Sequence, residues 1–341
     1  METGEYVPGS VYFYAPNKGA PVFFAVAFAA SGAYHIYQCV HYQSWRLTGL
    51  YVFCALLFTV GFVVREIGAF DYEHLIKYIV SICLIYAAPP LLELANYNIL
   101  GRILYYVPYH SPIHPGRVIT TFAFISFVVE VLNGNGVAYS ANQSLTHSQM
   151  EMGRALLKAA LVIQLGVLAL FALLAATFHR RCHRAGIRSA QLTAALRTLY
   201  ASTALIGVRT IFRVAEYWSI AQHNFWEPGL DPMTLSPMIR YEWFFYVFEA
   251  GLMVVNHVMM NVRHPRKYLP KSTKTYLSAA DGKTEIMGPG YKDGRKFWVT
   301  LVDPFDIVGL VKSGAKGGKE ARFWEMEGDA GTRGKGDVEA Q

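Results

Sequence analysis

The sequence predicts an all-α membrane protein, a bundle that crosses the bilayer seven times. Three observations carry this expectation. The 341 residues are 53% hydrophobic and only 16% charged; the mean hydropathy is positive; and apolar runs long enough to cross about 30 Å of hydrocarbon recur along the chain. The formal net charge of +7 does not signal a nucleic-acid partner, because the basic residues flank apolar runs instead of forming a soluble patch. Cys39, Cys54, Cys83 and Cys182 stand singly, which excludes a disulfide framework and a metal-ligand spacing. The first 19 residues lack a basic region followed by an early apolar core, so no cleavable signal peptide is expected and residues 1–20 form an exterior segment.

The spans fall at Pro21–Val40, Leu47–Val64, Leu75–Asn96, Val118–Leu132, Ala155–Phe178, Thr198–Gln222 and Arg240–Val262. Arg180, Arg181, Arg184, Arg188 and Arg197 lie between the fifth and sixth, whereas Gly134–Met152 holds no Lys or Arg. The basic loop is therefore assigned to the cytoplasm, which puts the N-terminus outside and the C-terminus inside. Arg263, Arg266, Lys267, Lys271 and Lys274 after the last span agree. Asn142 opens an N-x-S sequon on an exterior loop, open to glycosylation. Residues 266–341 turn rich in Gly, Lys and acids and read as a largely disordered cytoplasmic tail. Within it, Phe297–Val311 is apolar enough to rest on the membrane surface or to dock a cytoplasmic partner.

The sixth span carries Arg209, Arg213 and Glu216, at offsets of four and seven that share one helix face. A charge at mid-bilayer costs about 2.5–3.5 kcal/mol on insertion scales, so three of them must face protein or water. Antiparallel neighbours match depth end to end, which sets Arg209 level with Glu249 and Arg213 near Glu242 and Tyr246; these three share a face of the seventh span. Glu130, Asn133, Lys158, Gln164 and His35 add polar groups at similar depth, and together they suggest a polar cavity. Arginine–glutamate pairs also serve as plain helix locks, and His35 or Gln164 alone reads as an interhelical hydrogen bond. Pro89 and Pro90 should break or kink the third span, and Glu93 beyond them reads as a snorkelling carboxylate. No nucleophile elbow or phosphate loop is present, and His179 and His183 sit in a basic loop better read as a topology signal. Neither enzymatic chemistry nor a metal or cofactor is expected.

These residues resemble the fungal RTA-like proteins, the lipid-translocating exporter family. VRTIFRVAEY at Val208–Tyr217 is similar to that family's R-x-x-F-R-x-x-E signature, followed by Glu242, by YVFEAGLM at Tyr246–Met253 and by His264-Pro265. Tyr14–Asn17, His35, Gly61, Arg65, Ala87–Arg102, Gly153 and Gln164 are similar as well. The chain departs from the pattern at Phe58, Ser126, Asn133 and Glu249. The resemblance implies seven helices, a plasma membrane, endomembrane or vacuolar location, and translocation of amphiphilic lipids such as sphingoid long-chain bases, with resistance to toxic amphiphiles. Glu249, Glu242 and Glu216 would then hold a cationic head group while Arg209 and Arg213 exchange partners. A seven-helix sensor that signals through its loops and tail is the alternative reading.

Overall fold

The computed structural model describes residues 6–113, 115–141, 145–221, 233, 235–278, 282 and 284–288. Asn142, Gln222 and residues 289–341, including Phe297–Val311, lie outside them. Helices dominate: α1 (Ala20–His41), α2 (Trp45–Ala69), α3 (Leu75–Tyr106), α4 (Pro115–Ala141), α5 (His147–Arg184) and α6 (Ala190–Ala221), then the single turn α7 (Pro237–Arg240), a π-helical stretch Phe245–Gly251, and α8 (Leu252–Val262). Among the described residues, six helices are long and apolar enough to cross a membrane, α1 to α5 and the segment from Phe245 onward. The remaining long helix, α6, is 32 residues and carries the charges of the signature stretch. The fold is all-α and polytopic, as the sequence predicts.

The helices overrun the expected spans because hydropathy sees only the part that meets lipid, while hydrogen bonding continues into water. The third span becomes Leu75–Tyr106, and the fifth becomes His147–Arg184. Helix α3 runs unbroken through Pro89 and Pro90, so the expected break does not occur. The last span is the converse. Arg240 belongs to a separate turn, Tyr241 is extended, and helix resumes beyond Glu242. At the end of α5, Gly186 takes φ 77°, and Ile187 N–H donates to Cys182 O at 3.0 Å, a left-handed cap that only glycine adopts cheaply. Cys182 itself is buried.

The chain divides into two compact units, one from residues up to Asn96 with Ser126–Ala169 and Tyr200–His264, the other from Tyr97–Ile125, Leu170–Leu199 and residues from Pro265 on. The first unit presents Val22, Phe23, Val26, Val60, Val63 and Val255 outward, apolar side chains that lipid accepts and water does not. Its helices approach closely where side chains vanish. A Cβ on Gly32 would lie 2.8 Å from Ala55 Cβ, and one on Gly136 would lie 2.6 Å from Leu157 Cγ, the small-residue packing that replaces hydrophobic driving force within a membrane. In the second unit, Thr275–Leu277 (β1) and Glu285–Met287 (β2) pair antiparallel with Tyr276 opposite Ile286. Tyr106 Oη lies 2.8 Å from Glu285 Oε1 and 2.9 Å from Gln191 Oε1, and Arg102 Nη2 donates to Pro270 O at 2.7 Å. Part of the region expected as an unstructured tail is thus ordered against helical residues.

Gly153 tests the close packing. A Cβ there would sit 2.7 Å from Ser140 N and from Tyr139 Cβ, whereas one on Gly166 would meet nothing within 4 Å. Gly153→Ala is expected to destabilise the purified protein by about 1–3 kcal/mol through overpacking. Gly166→Ala should leave stability level or raise it slightly. Thermal unfolding in detergent separates the two.

Candidate functional site

Buried charge in the first unit is organised as three pairs of different character. Helix α2 extends past Val64 and delivers Arg65, whose Nη2 lies 2.7 Å from Glu242 Oε1 with both side chains 1% exposed. Arg65 Nε donates to Tyr246 Oη at 3.3 Å, and Tyr246 donates in turn to Glu242 Oε1 at 3.0 Å. The guanidinium lies 4.2 Å from the Phe245 ring and 4.9 Å from the Tyr12 ring, close enough for cation–π attraction. The N-terminal segment closes the group. Asn17 N–H donates to Glu242 Oε2 at 2.7 Å, and Arg65 Nη2 reaches Tyr14 Oη at 3.4 Å. Burial holds the Tyr14 phenol well above its ordinary range against the opposing pull of Arg65, so Tyr14 stays protonated at physiological pH. Both oxygens of Glu242 are answered.

The second pair is less complete. Arg209 Nε and Nη2, at 2.8 and 2.6 Å, converge on Oε1 of Glu249. Glu249 is fully buried, and its Oε2 has no hydrogen-bond partner. Glu249 stands within the π-helical stretch Phe245–Gly251, a wider turn that frequently marks functional sites. The third pair joins Arg213 to Glu216 on the same helix face, with Arg213 Nη1 donating to Tyr86 Oη at 2.8 Å and the guanidinium 4.0 Å over the Tyr86 ring. Glu249 lies near enough to interact electrostatically with both Arg213 and Glu216. Arg209 and Glu249, buried, and Arg213 and Glu216, partly exposed, thus form one group of two cations and two anions.

The structure therefore keeps the expected Arg209–Glu249 match and corrects the rest. Arg213 does not take Glu242 and Tyr246; Arg65 does. End-to-end alignment of antiparallel helices fixes height along the axis and says nothing about which side a residue faces, and an i,i+3 glutamate was already beside Arg213. Glu93 is also corrected. It does not snorkel: it is 3% exposed, and Gln164 Nε2 donates to its Oε1 at 2.9 Å. Glu93 and Gln164 line a narrow crevice with Ser126, Val129, Glu130 and Val167. Glu130 interacts there with Asn133 and feels the charge of Arg209. Lys158 instead lies over the Trp218 ring at 5.9 Å. His35 is fully buried but stacks on Tyr51, ring centroids 5.1 Å apart, and meets His257 instead of the charged group. Arg65, Tyr86, Asn17 and His257 escaped the reading of the spans. Arg65 had a signal, a lone basic residue one position past an apolar run, and both Arg65 and Asn17 lie in stretches that carry the family resemblance; Tyr86 had none. Among the described residues no group of three or more His, Cys, Asp or Glu is placed to hold a metal.

Apolar helices that turn paired charges inward define a polytopic integral membrane protein with a polar interior. The chain matches the RTA1 like protein family over residues 51–272, and it belongs to that family. It is 44% identical to the lipid-translocating exporter-like protein RTA1 of Leptosphaeria maculans over 83% of its own length, and it spans only 56% of that relative. A protein of the same description from Ajellomyces capsulatus is 29% identical over 77% of this chain and 82% of its own. The probable lipid transporter atnI of Emericella nidulans is 22% identical over 77% of this chain and 70% of its own. No solved structure matches.

The Arg65–Glu242 pair makes a stability prediction. Removing one partner of a buried pair leaves an uncompensated charge and costs about 3–5 kcal/mol. Arg65→Leu should therefore lower the unfolding temperature in detergent sharply, while Arg65→Leu with Glu242→Leu should recover part of the loss. Equal losses in the single and double variants would show that the pair is not the relevant interaction.

Proposed function

We propose that the chain translocates cationic single-chain amphiphiles, sphingoid long-chain bases or chemically similar toxic lipids, from one leaflet of its membrane to the other. The observation that carries the reading is the unpartnered Oε2 of Glu249. A buried carboxylate oxygen with no donor costs about 1–3 kcal/mol, and an incoming ammonium group removes that cost. Arg209 occupies the other oxygen and keeps the carboxylate oriented. Arg213 and Glu216 form the exchangeable neighbours, so the head group can displace one ion pair without leaving a bare charge.

The crevice of Glu93, Ser126, Glu130 and Gln164 supplies a second polar station, with Asn133 beside Glu130. The lipid tail remains against the apolar faces of the helices throughout. Glu242 and Tyr246 serve as a lock and not as a binding group, because Arg65 and Asn17 fill them. The printed names of the relatives, exporter-like and lipid transporter, support a lipid substrate. The reading keeps the basic end in the cytoplasm, where residues 266–341 would remain available to a cytoplasmic partner.

Glu249→Gln keeps the size of the side chain and removes its charge. It should abolish movement of a fluorescent sphingosine across liposomes holding the purified chain; because it also leaves the buried Arg209 without its carboxylate, the comparison is made at equal amounts of folded protein. Undiminished movement would remove Glu249 from the path. Wild-type protein that moves no sphingosine yet recruits a cytoplasmic partner when sphingosine is added would favour a sensor instead.

A further inference from the structure

Below the Arg209–Glu249 pair, the last span carries a second series of buried polar groups that the translocation reading does not use. Asn256, His257, Asn261 and His264 are buried; Asn256, His257 and Asn261 lie on α8 at offsets of one and five, on one side of the helix, and His264 follows just beyond its end. Helix α1 sets His35 and Gln38 against them. Gln38 Nε2 donates to Asn261 O at 2.7 Å, and Asn261 Nδ2 donates to Ser31 Oγ at 2.7 Å.

Most of the remaining hydrogen-bonding capacity is unmet. Both side-chain atoms of Asn256, both ring nitrogens of His257 and of His35, Oε1 of Gln38 and Oδ1 of Asn261 have no partner. His35 touches the His257 backbone without closing a hydrogen bond. The two imidazoles are adjacent, with ring centroids 5.6 Å apart, and Phe28, Tyr51 and Phe58 surround them at 5.4 to 6.2 Å from His257. Buried polar groups in proteins are almost always satisfied. Unpartnered groups of this number, with aromatic rings on their flank, offer the donors and acceptors that buried water takes up, since a buried water commonly makes about three hydrogen bonds to such groups.

Resting on the translocation reading, we propose that this core holds a file of water molecules that passes protons between Glu249 and the His35–His257 pair, coupling amphiphile movement to proton movement. The series from Glu249 to Asn261 covers about 18 Å at the α-helical rise, a large part of the hydrocarbon thickness. Imidazole suits the task because one ring nitrogen accepts a proton while the other releases one, after which the tautomer resets. The step is a proton transfer between imidazole and water, with no electron moved and no other bond made. The titratable groups that bear on the pair are Tyr51 from α2, stacked on His35, and His264 beyond α8; Cys54 lies next to Tyr51 and is reached by Arg209. Arg209 is paired with Glu249.

Liposomes with entrapped pyranine, holding the full chain, read proton entry when a pH gradient is imposed with potassium and valinomycin clamping the voltage. Fluorescent sphingosine in the same vesicles reads amphiphile movement with and without the gradient. The expected result is dye acidification by the wild-type chain, and sphingosine movement that responds to the gradient. His257→Gln should lose the dye response and the gradient dependence while retaining gradient-free movement. Sphingosine movement indifferent to the gradient, with a silent dye, overturns the proton file and leaves translocation standing. Dye acidification without sphingosine movement overturns translocation and leaves the file. A silent dye and immobile sphingosine overturn both, and because these arms use the wild-type chain, a variant that fails to fold does not blunt them.

Discussion

A guanidinium seated on one oxygen of a buried carboxylate is the interaction from which the rest of the first unit follows. Charge in a low-dielectric interior must be answered within contact distance, and Arg209 answers only half of Glu249. That requires α6 and the last span to be neighbours at this height, and it requires apolar faces elsewhere on both helices. Val208 and Ile211 on α6, and Val247 and Val255 on the last span, are exposed accordingly. The π-helical turn at Phe245–Gly251 stands where the span must serve two partners, Arg65 through Glu242 and Arg209 through Glu249. A wider turn allows those two acidic side chains to take partners from different helices although their spacing of seven would align them on an ordinary helix.

The contrast between the two glutamates is informative because their surroundings are otherwise alike. Glu242 has a guanidinium, a phenol and a backbone amide on its two oxygens; it is saturated, and its loss would be felt as stability. Glu249 is buried as deeply with one oxygen open. Selection for stability alone would close that oxygen, as it closed those of Glu242. The N-terminal segment belongs to the first kind of site. Tyr12, Tyr14 and Asn17 complete the Arg65 cage from outside the helices, so residues ahead of the first span help hold the structure together.

Hydropathy, loop charge and the spacing of Arg209, Arg213 and Glu216 were enough to identify a polytopic all-α protein and the Arg209–Glu249 pair. Both depend on one-dimensional quantities, length and height along an axis. What escaped depends on rotation about that axis. Arg65 stood at the expected edge of a span and turned inward; Glu93 stood past two prolines and turned toward Gln164; Arg213 chose its own helix neighbour and Tyr86 over a carboxylate of the last span. The prolines do not end the helix: each removes one donor, yet α3 continues through both, and tight packing of α2 at Gly61, where a Cβ would lie 2.7 Å from Ile85 Cγ1, holds the neighbouring turn in place.

The unmet groups along α8 follow from the same accounting. An unsatisfied buried polar atom costs about 1–3 kcal/mol, and total folding stability is only about 5–15 kcal/mol. Asn256, His257 and His35 together leave more capacity open than a dry core tolerates, while Phe28 and Phe58 beside them show that apolar side chains fit this space. The proposed water file accounts for polar residues kept where phenylalanine fits. On that proposal, water there would lower the cost of the open carboxylate oxygen as well. A helix lock needs neither, which is why the open oxygen and the open imidazoles favour passage over fastening.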